Sequence, residues 1–171
     1  GPSEVMPNQP IRYMFLQIGN NSNVALDSFY WRDTLPAQVT VNRLVTGTYN
    51  QAQNYKIVYK VNGAGAYRTL ADNLSTTKNY VLDMRPAVLG LAANERVSEI
   101  MFVFGTVPAG FAQVETPALY GTVCGGLSNG TNLVNSADVG GLYSGQWVQA
   151  VSRWLTTVYA KMTMTLPKTG Y

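Results

Sequence analysis

Asn54-Tyr55-Lys56-Ile57-Val58-Tyr59-Lys60-Val61-Asn62-Gly63-Ala64-Gly65-Ala66-Tyr67-Arg68-Thr69-Leu70-Ala71 is the stretch on which the fold turns. Tyr55, Ile57, Tyr59 and Val61 fall on one face of an extended chain and Lys56, Val58 and Lys60 on the other, the two-residue period of a half-buried strand. Asn62-Gly63 follows at once. Both residues accept positive φ, so the chain reverses tightly and Ala66–Ala71 returns as the partner strand of a hairpin.

The same rhythm runs outward in both directions. Val39–Val45 alternates apolar and polar residues. Val24–Asp33 places Val24, Leu26, Ser28, Tyr30 and Arg32 on one side and Ala25, Asp27, Phe29, Trp31 and Asp33 on the other. Ile11–Ile18 reads as a strand closed by the turn cluster Gly19–Asn23, and further runs lie at Asn79–Met84, Arg96–Phe104 and Val114–Cys124. Gly105–Gly110 and Gly125–Gly130 are connections rich in turn residues. Trp147, Val151, Trp154 and Val158 recur at helical intervals, while Thr156-Thr157-Val158-Tyr159 is β-branched and aromatic. We expect a final strand over about 154–164, preceded by a short strand or helical turn near 147–153. Short strands at this spacing, separated by Gly and Asn turns, predict an all-β sandwich rather than βαβ units. Residues 1–10, with three prolines and an opening Gly1-Pro2 that reads as a tag scar, form a lead-in or linker; 11–164 form one sandwich domain, and 165–171 a C-terminal motif.

Composition narrows the function. Only 12% of the 171 residues are charged, and the net charge of +3 is scattered singly, with none of the basic runs interleaved with aromatics that a nucleic-acid groove needs. There is no histidine, which removes the commonest general base and metal ligand together. The single cysteine, Cys124, allows no internal disulfide and reads as a small buried hydrophobe at a strand end. No stretch reaches the roughly 18 apolar residues of a membrane helix. These absences predict a binding or structural module without cofactor or metal, and not an enzyme.

The motif at the C-terminus is Leu166-Pro167-Lys168-Thr169-Gly170, followed by Tyr171. Pro167 fixes its own φ and pushes Leu166 towards an extended conformation, so the segment suits a groove that holds peptides extended. It resembles the LPXTG sorting signal of Gram-positive cell-wall-anchored proteins. The resemblance implies a substrate of sortase, cut between Thr169 and Gly170 and joined through Thr169 to peptidoglycan or a neighbouring pilin subunit; the localisation implied is extracellular and wall-anchored. The apolar span and basic tail of a full signal do not follow in this sequence. Asp33-Thr34-Leu35-Pro36-Ala37-Gln38-Val39-Thr40, after an Asn-rich turn, is similar to the conserved-repeat domains of bacterial surface proteins, and implies an immunoglobulin-like β-sandwich used in surface proteins and pilins.

Domains of this resemblance often carry an intramolecular isopeptide bond between a Lys amine and an Asn or Asp beside a buried acid. The first strand offers Arg12 and no Lys. Lys56 or Lys60 with Asp27, Asp33 or Glu115 remain candidates, against the plainer reading of exposed lysines on a half-solvated face. Asp138, a single carboxylate in its segment, reads as a turn cap rather than a calcium ligand. The aromatics Tyr30, Trp31, Tyr143 and Trp147 flank turns and are the candidate ligand-binding rings. Two function classes follow: a structural or adhesive surface module anchored by sortase and facing a host ligand, or a carbohydrate-binding module of a wall-anchored adhesin or enzyme.

Overall fold

The computed structural model describes residues 2–160 and contains two facing β-sheets. In chain order the elements are β1 (Glu4–Val5), β2 (Pro10–Met14), β3 (Leu26–Thr34), β4 (Val39–Val45), β5 (Asn54–Val61), β6 (Ala64–Ser75), β7 (Val81–Asp83), α1 (Pro86–Leu89), β8 (Val97–Val107), β9 (Ala118–Val123), β10 (Asn132–Tyr143) and β11 (Gln146–Val158). A seven-stranded sheet runs β1-β11-β10-β3-β8-β5-β6 and a four-stranded sheet β2-β9-β4-β7. All pairings are antiparallel except that of β1 with β11. The architecture is the predicted all-β sandwich, two sheets packed face to face.

The opening hairpin forms as the alternation requires. Tyr55, Ile57, Tyr59 and Val61 are buried, Lys56 is exposed, and Asn62 and Gly63 take φ of 54° and 65° between the paired Val61 and Ala64. Between the sheets the core is largely aromatic. Phe15 lies on Trp31 with ring centroids 4.2 Å apart, Trp31 meets Phe102 edge-on, and Tyr49, Tyr55, Phe104, Phe111 and Phe29 continue the cluster. Such pairs add about 0.5–1.5 kcal/mol each beyond the area they bury.

Several expectations are corrected. Residues 147–153 carry no helical turn: β11 pairs with β10 from Tyr143–Gln146 to Asn132–Thr157 without a break. The apolar residues at helical spacing divide between the two faces of this strand, because the partner strand supplies a ladder along its whole length. Among the described residues the one short helix is α1, begun by Pro86 and ended by Gly90 in the left-handed conformation. Within residues 1–10, Val5 is buried and β1 joins the sheet, held where the Trp154 Nε1 and Thr156 Oγ1 groups donate to the Pro2 carbonyl at 2.9 and 2.6 Å. The strand expected over Ile11–Ile18 stops at Met14, and Gln17 turns at φ 65°.

The face assignment of β3 also shifts. Ser28 has φ 48° and the pairing with β8 slips between Leu26 and Phe29, so Leu26, Phe29, Trp31 and Asp33 all point inward although they do not share one parity. Cys124 is exposed rather than buried, since it lies one residue beyond the end of β9.

Candidate functional site

The seven-stranded sheet is wider than the sheet that covers it, and the β10–β11 hairpin lies at its overhanging end. Tyr143 pairs with Gln146 across Ser144 and Gly145, at φ 49° and 74°. β1 pairs with β11 only at Thr157 and Val158, so the backbone edge of β11 is open from Gln146 to Thr156 among the described residues. Trp147, Val148, Val151, Trp154 and Leu155 are all exposed along it. Both faces of this strand therefore present apolar side chains, an arrangement most edge strands avoid.

On the outer face, β3, β10 and β11 bring together an aromatic and polar cluster. Arg32 donates from Nε and Nη2 to the two oxygens of Asp138, each at 2.8 Å. The Tyr30 hydroxyl donates to Asp138 at 2.8 Å and accepts from Gln149 Nε2 at 2.7 Å. Trp147 meets the Tyr30 ring edge-on at 6.0 Å and is 57% exposed. Gly140 lies beneath: a Cβ there would stand 3.1 Å from the Tyr30 ring and 2.9 Å from the Val148 carbonyl, so only glycine lets the tyrosine cross the strand. The tyrosine pKa is raised, by burial first and then by its bond to Asp138. Arg32 is held firmly charged by the same carboxylate. Chemically this is a rigid platform: one exposed indole edged by a fixed carboxylate, guanidinium and amide.

On the inner face of the same strands is a cavity of about 490 Å3, reached between the overhanging hairpin and the chain that follows β2. Its lining includes Tyr13, Phe15, Trp31, Asp33, Asn135 and Trp154. Asp33 is fully buried, and Asn135 Nδ2 donates to its Oδ1 at 2.6 Å. Desolvation raises the Asp33 pKa to about 7, against a smaller lowering by the Asn135 hydrogen bond. Tyr13 is raised to about 12, by burial and then by the charge of Asp33. Thr156 lies near the Tyr13 hydroxyl and lowers its pKa in part, yet gives its own proton to Pro2.

The ligand-binding aromatics expected from the sequence are divided by this geometry. Tyr30 and Trp147 meet on the outer face, Tyr143 is half exposed at the hairpin end, and Trp31 is 5% exposed within the core, so it is not a surface ring. Lys56 is exposed and Lys60 stands over the Tyr67 ring at 4.5 Å, both on the outer side of β5. The buried acid Asp33 faces the other side of that sheet, so neither lysine has the dry setting that an isopeptide bond requires. Asp27 and Glu115 are exposed. Asp138 is a mid-strand partner of Arg32, not a turn cap. Leu166, Pro167, Lys168, Thr169 and Gly170 lie outside the described residues. Among the described residues no cluster of three or more potential metal ligands forms. Asn135 was missed altogether, and the signal for it was indirect: an Asp33 in step with Trp31 on an apolar face needs a hydrogen-bonding partner from a neighbouring strand.

No family model matches this chain, and no curated protein matches it. Among solved structures, the chain is similar to AvmM, which catalyses macrocyclization in alchivemycin A biosynthesis. That match has a TM-score of 0.37 and 11% identity over 100% of this chain and 88% of the other. It is also similar to the collagen-binding domain of a Staphylococcus aureus adhesin, at a TM-score of 0.38 and 13% identity over 91% and 93% of the two chains. At these scores neither likeness bears on activity or ligand.

Proposed function

We propose that this chain is a structural or adhesive module of the bacterial cell surface, carried on a β-sandwich and joined to the wall or to a pilus by sortase through Thr169. The observation that carries the reading is the motif Leu166-Pro167-Lys168-Thr169-Gly170, on the C-terminal side of a folded domain. The open strand β11 and its exposed side chains are consistent with a module that displays a contact surface. In this reading the chain performs no chemistry itself: the thiol nucleophile belongs to sortase, and the domain supplies a substrate peptide and a load-bearing body. Incubation of the chain, with its native downstream sequence attached, with sortase and triglycine is the test. A product mass corresponding to triglycine on the Thr169 carbonyl supports the reading, and its absence under conditions where a control sorting peptide reacts contradicts it.

A second reading, a carbohydrate-binding module, is favoured by one arrangement. Trp147 is an exposed ring beside Gln149, Asp138 and Arg32, and planar rings flanked by fixed hydrogen-bonding groups suit the apolar face and hydroxyl rim of a sugar. Glycan-array binding lost on Trp147→Ala supports this reading, while an array with no signal for the intact chain counts against it.

A further inference from the structure

Four buried side-chain polar atoms have no hydrogen-bond partner among the described residues, and two of them are the second oxygens of one joined pair. Asn135 Nδ2 donates to Asp33 Oδ1 at 2.6 Å, and that bond leaves Asp33 Oδ2 and Asn135 Oδ1 bare. Carboxyl and carboxamide are planar groups of nearly the same size. Joined at one corner, each has an oxygen at the other. Bare acceptors in a dry site are costly, and buried polar groups are met in all but a few cases. An ionised Asp33 has no donor to offer, whereas its protonated form carries an O–H on the very side that lacks a partner.

We infer that Asp33 and Asn135 form a closed carboxylic acid–carboxamide pair, in which Asp33 Oδ2–H donates to Asn135 Oδ1 while Asn135 Nδ2–H donates to Asp33 Oδ1. One proton, taken from solvent as the chain folds, meets both bare oxygens and removes the buried charge. The pair is a clamp that closes only with that proton in place. It ties β3 to the root of the β10–β11 hairpin: Asp33 lies opposite Ile100 and Ala137, and Asn135 opposite Trp154, whose indole donates to the Pro2 carbonyl. Loss of the proton sets a carboxylate oxygen towards an amide oxygen at this root, acceptor against acceptor.

The charged side chains on the surrounding strands turn away from Asp33. Glu99 on β8 accepts from the Tyr67 hydroxyl, Asp138 on β10 holds Arg32, Arg153 on β11 is exposed in step with Gln149, and Arg12 on β2 is exposed between the buried Ile11 and Tyr13. Tyr13 is the titratable group that shares the inner face, and burial, then the charge of Asp33, pushes it up to about 12, so it stays neutral. Burial likewise pushes the Asp33 carboxyl up to about 7, opposed by the Asn135 bond alone. That opposition applies to an ionised acceptor. In the closed pair Asn135 accepts as well as donates, which favours the protonated form.

NMR titration of the full chain, carbon-13 labelled in Asp and Asn, tests the pair. The Asp33 carboxyl carbon should report a protonated acid at about pH 6, some two units above the ordinary aspartate range, and the Asn135 side-chain carbon should move with the same midpoint. Corrected for the intrinsic rate, amides at 133–137 and 154–156 should exchange at least tenfold faster above the midpoint than below it. Asp33→Asn puts an N–H where the pair needs its O–H. It should unfold at no lower urea concentration than the parent above the midpoint, and should lose the pH dependence of exchange. An ionised Asp33 at pH 6, as a bridging water would give, overturns the pair, and so does an Asn135 carbon that stays still while Asp33 titrates. A folded Asp33→Asn protein that unfolds at lower urea than the parent above the midpoint does the same. The carbon titrations use the unaltered chain and decide the matter where the substituted one does not fold. Exchange that is unchanged across the midpoint overturns the clamp on the hairpin.

Discussion

Asn135 on β10 donates through Nδ2 to Oδ1 of Asp33 on β3 at 2.6 Å, and this bond lies wholly between the sheets. It holds one oxygen of the carboxyl and leaves the other unmet, which is why desolvation outweighs the hydrogen bond in the Asp33 pKa.

A pH dependence of stability follows from that balance. The folded-state pKa, about 7, lies above the ordinary aspartate value of 3.8, so the folded chain holds this proton more tightly than the unfolded chain does. The stabilisation is complete below about pH 4, declines as pH rises, and is lost above about 7. The difference corresponds to roughly 4 kcal/mol at most. Urea unfolding from pH 4 to 8 should show falling stability across this range, and Asp33→Asn should flatten the profile.

Removing the Asp138 carboxylate should cost less than its number of bonds suggests. Asp138→Ala leaves Arg32 and the Tyr30 hydroxyl without their acceptor, but the Arg32 side chain is 36% exposed and water takes its place. We expect a loss of about 1–2 kcal/mol in urea unfolding, together with reduced order of the Trp147 ring, measured by fluorescence anisotropy decay.

The Asn62-Gly63 turn makes a sharper local prediction. Nothing lies within 4 Å of a Cβ built on Gly63, but its φ is 65°. Gly63→Ala should therefore destabilise by conformational strain alone, about 1 kcal/mol, with an unchanged β-sheet circular-dichroism spectrum.

How far the sequence was legible depended on whether parity held. β4 and β5 occupy the residues that alternation indicated, and the Asn62-Gly63 reversal formed where its dipeptide pointed. Parity failed in β3, because a single residue at positive φ, Ser28, moved Phe29 and Trp31 to the face of Leu26. β11 was harder for another reason. Its two exposed faces are both apolar, so no two-residue period marks it, and the Ser144-Gly145 turn was the better signal. Of the candidate site, Tyr30 and Trp147 could be named from their types, but their meeting depends on the bare backbone of Gly140, and the Asp33–Asn135 pair joins residues 102 positions apart.

The open edge of β11 should govern association. Val151 is 67% exposed at mid-strand, so Val151→Lys should leave unfolding stability within about 0.5 kcal/mol of the parent. The same change places a charge on the free edge and should lower concentration-dependent self-association in sedimentation velocity.

The anchoring claim is tested most directly in cells. The chain would be expressed with its native leader and downstream sequence in a Gram-positive host, and the wall fraction digested with a muramidase and analysed by mass spectrometry. The account predicts muropeptide fragments bonded to Thr169, and their loss with release of the protein from the wall fraction in Pro167→Ala. Equal retention of the two proteins in the wall, or a wall-bound chain still intact beyond Gly170, would contradict it.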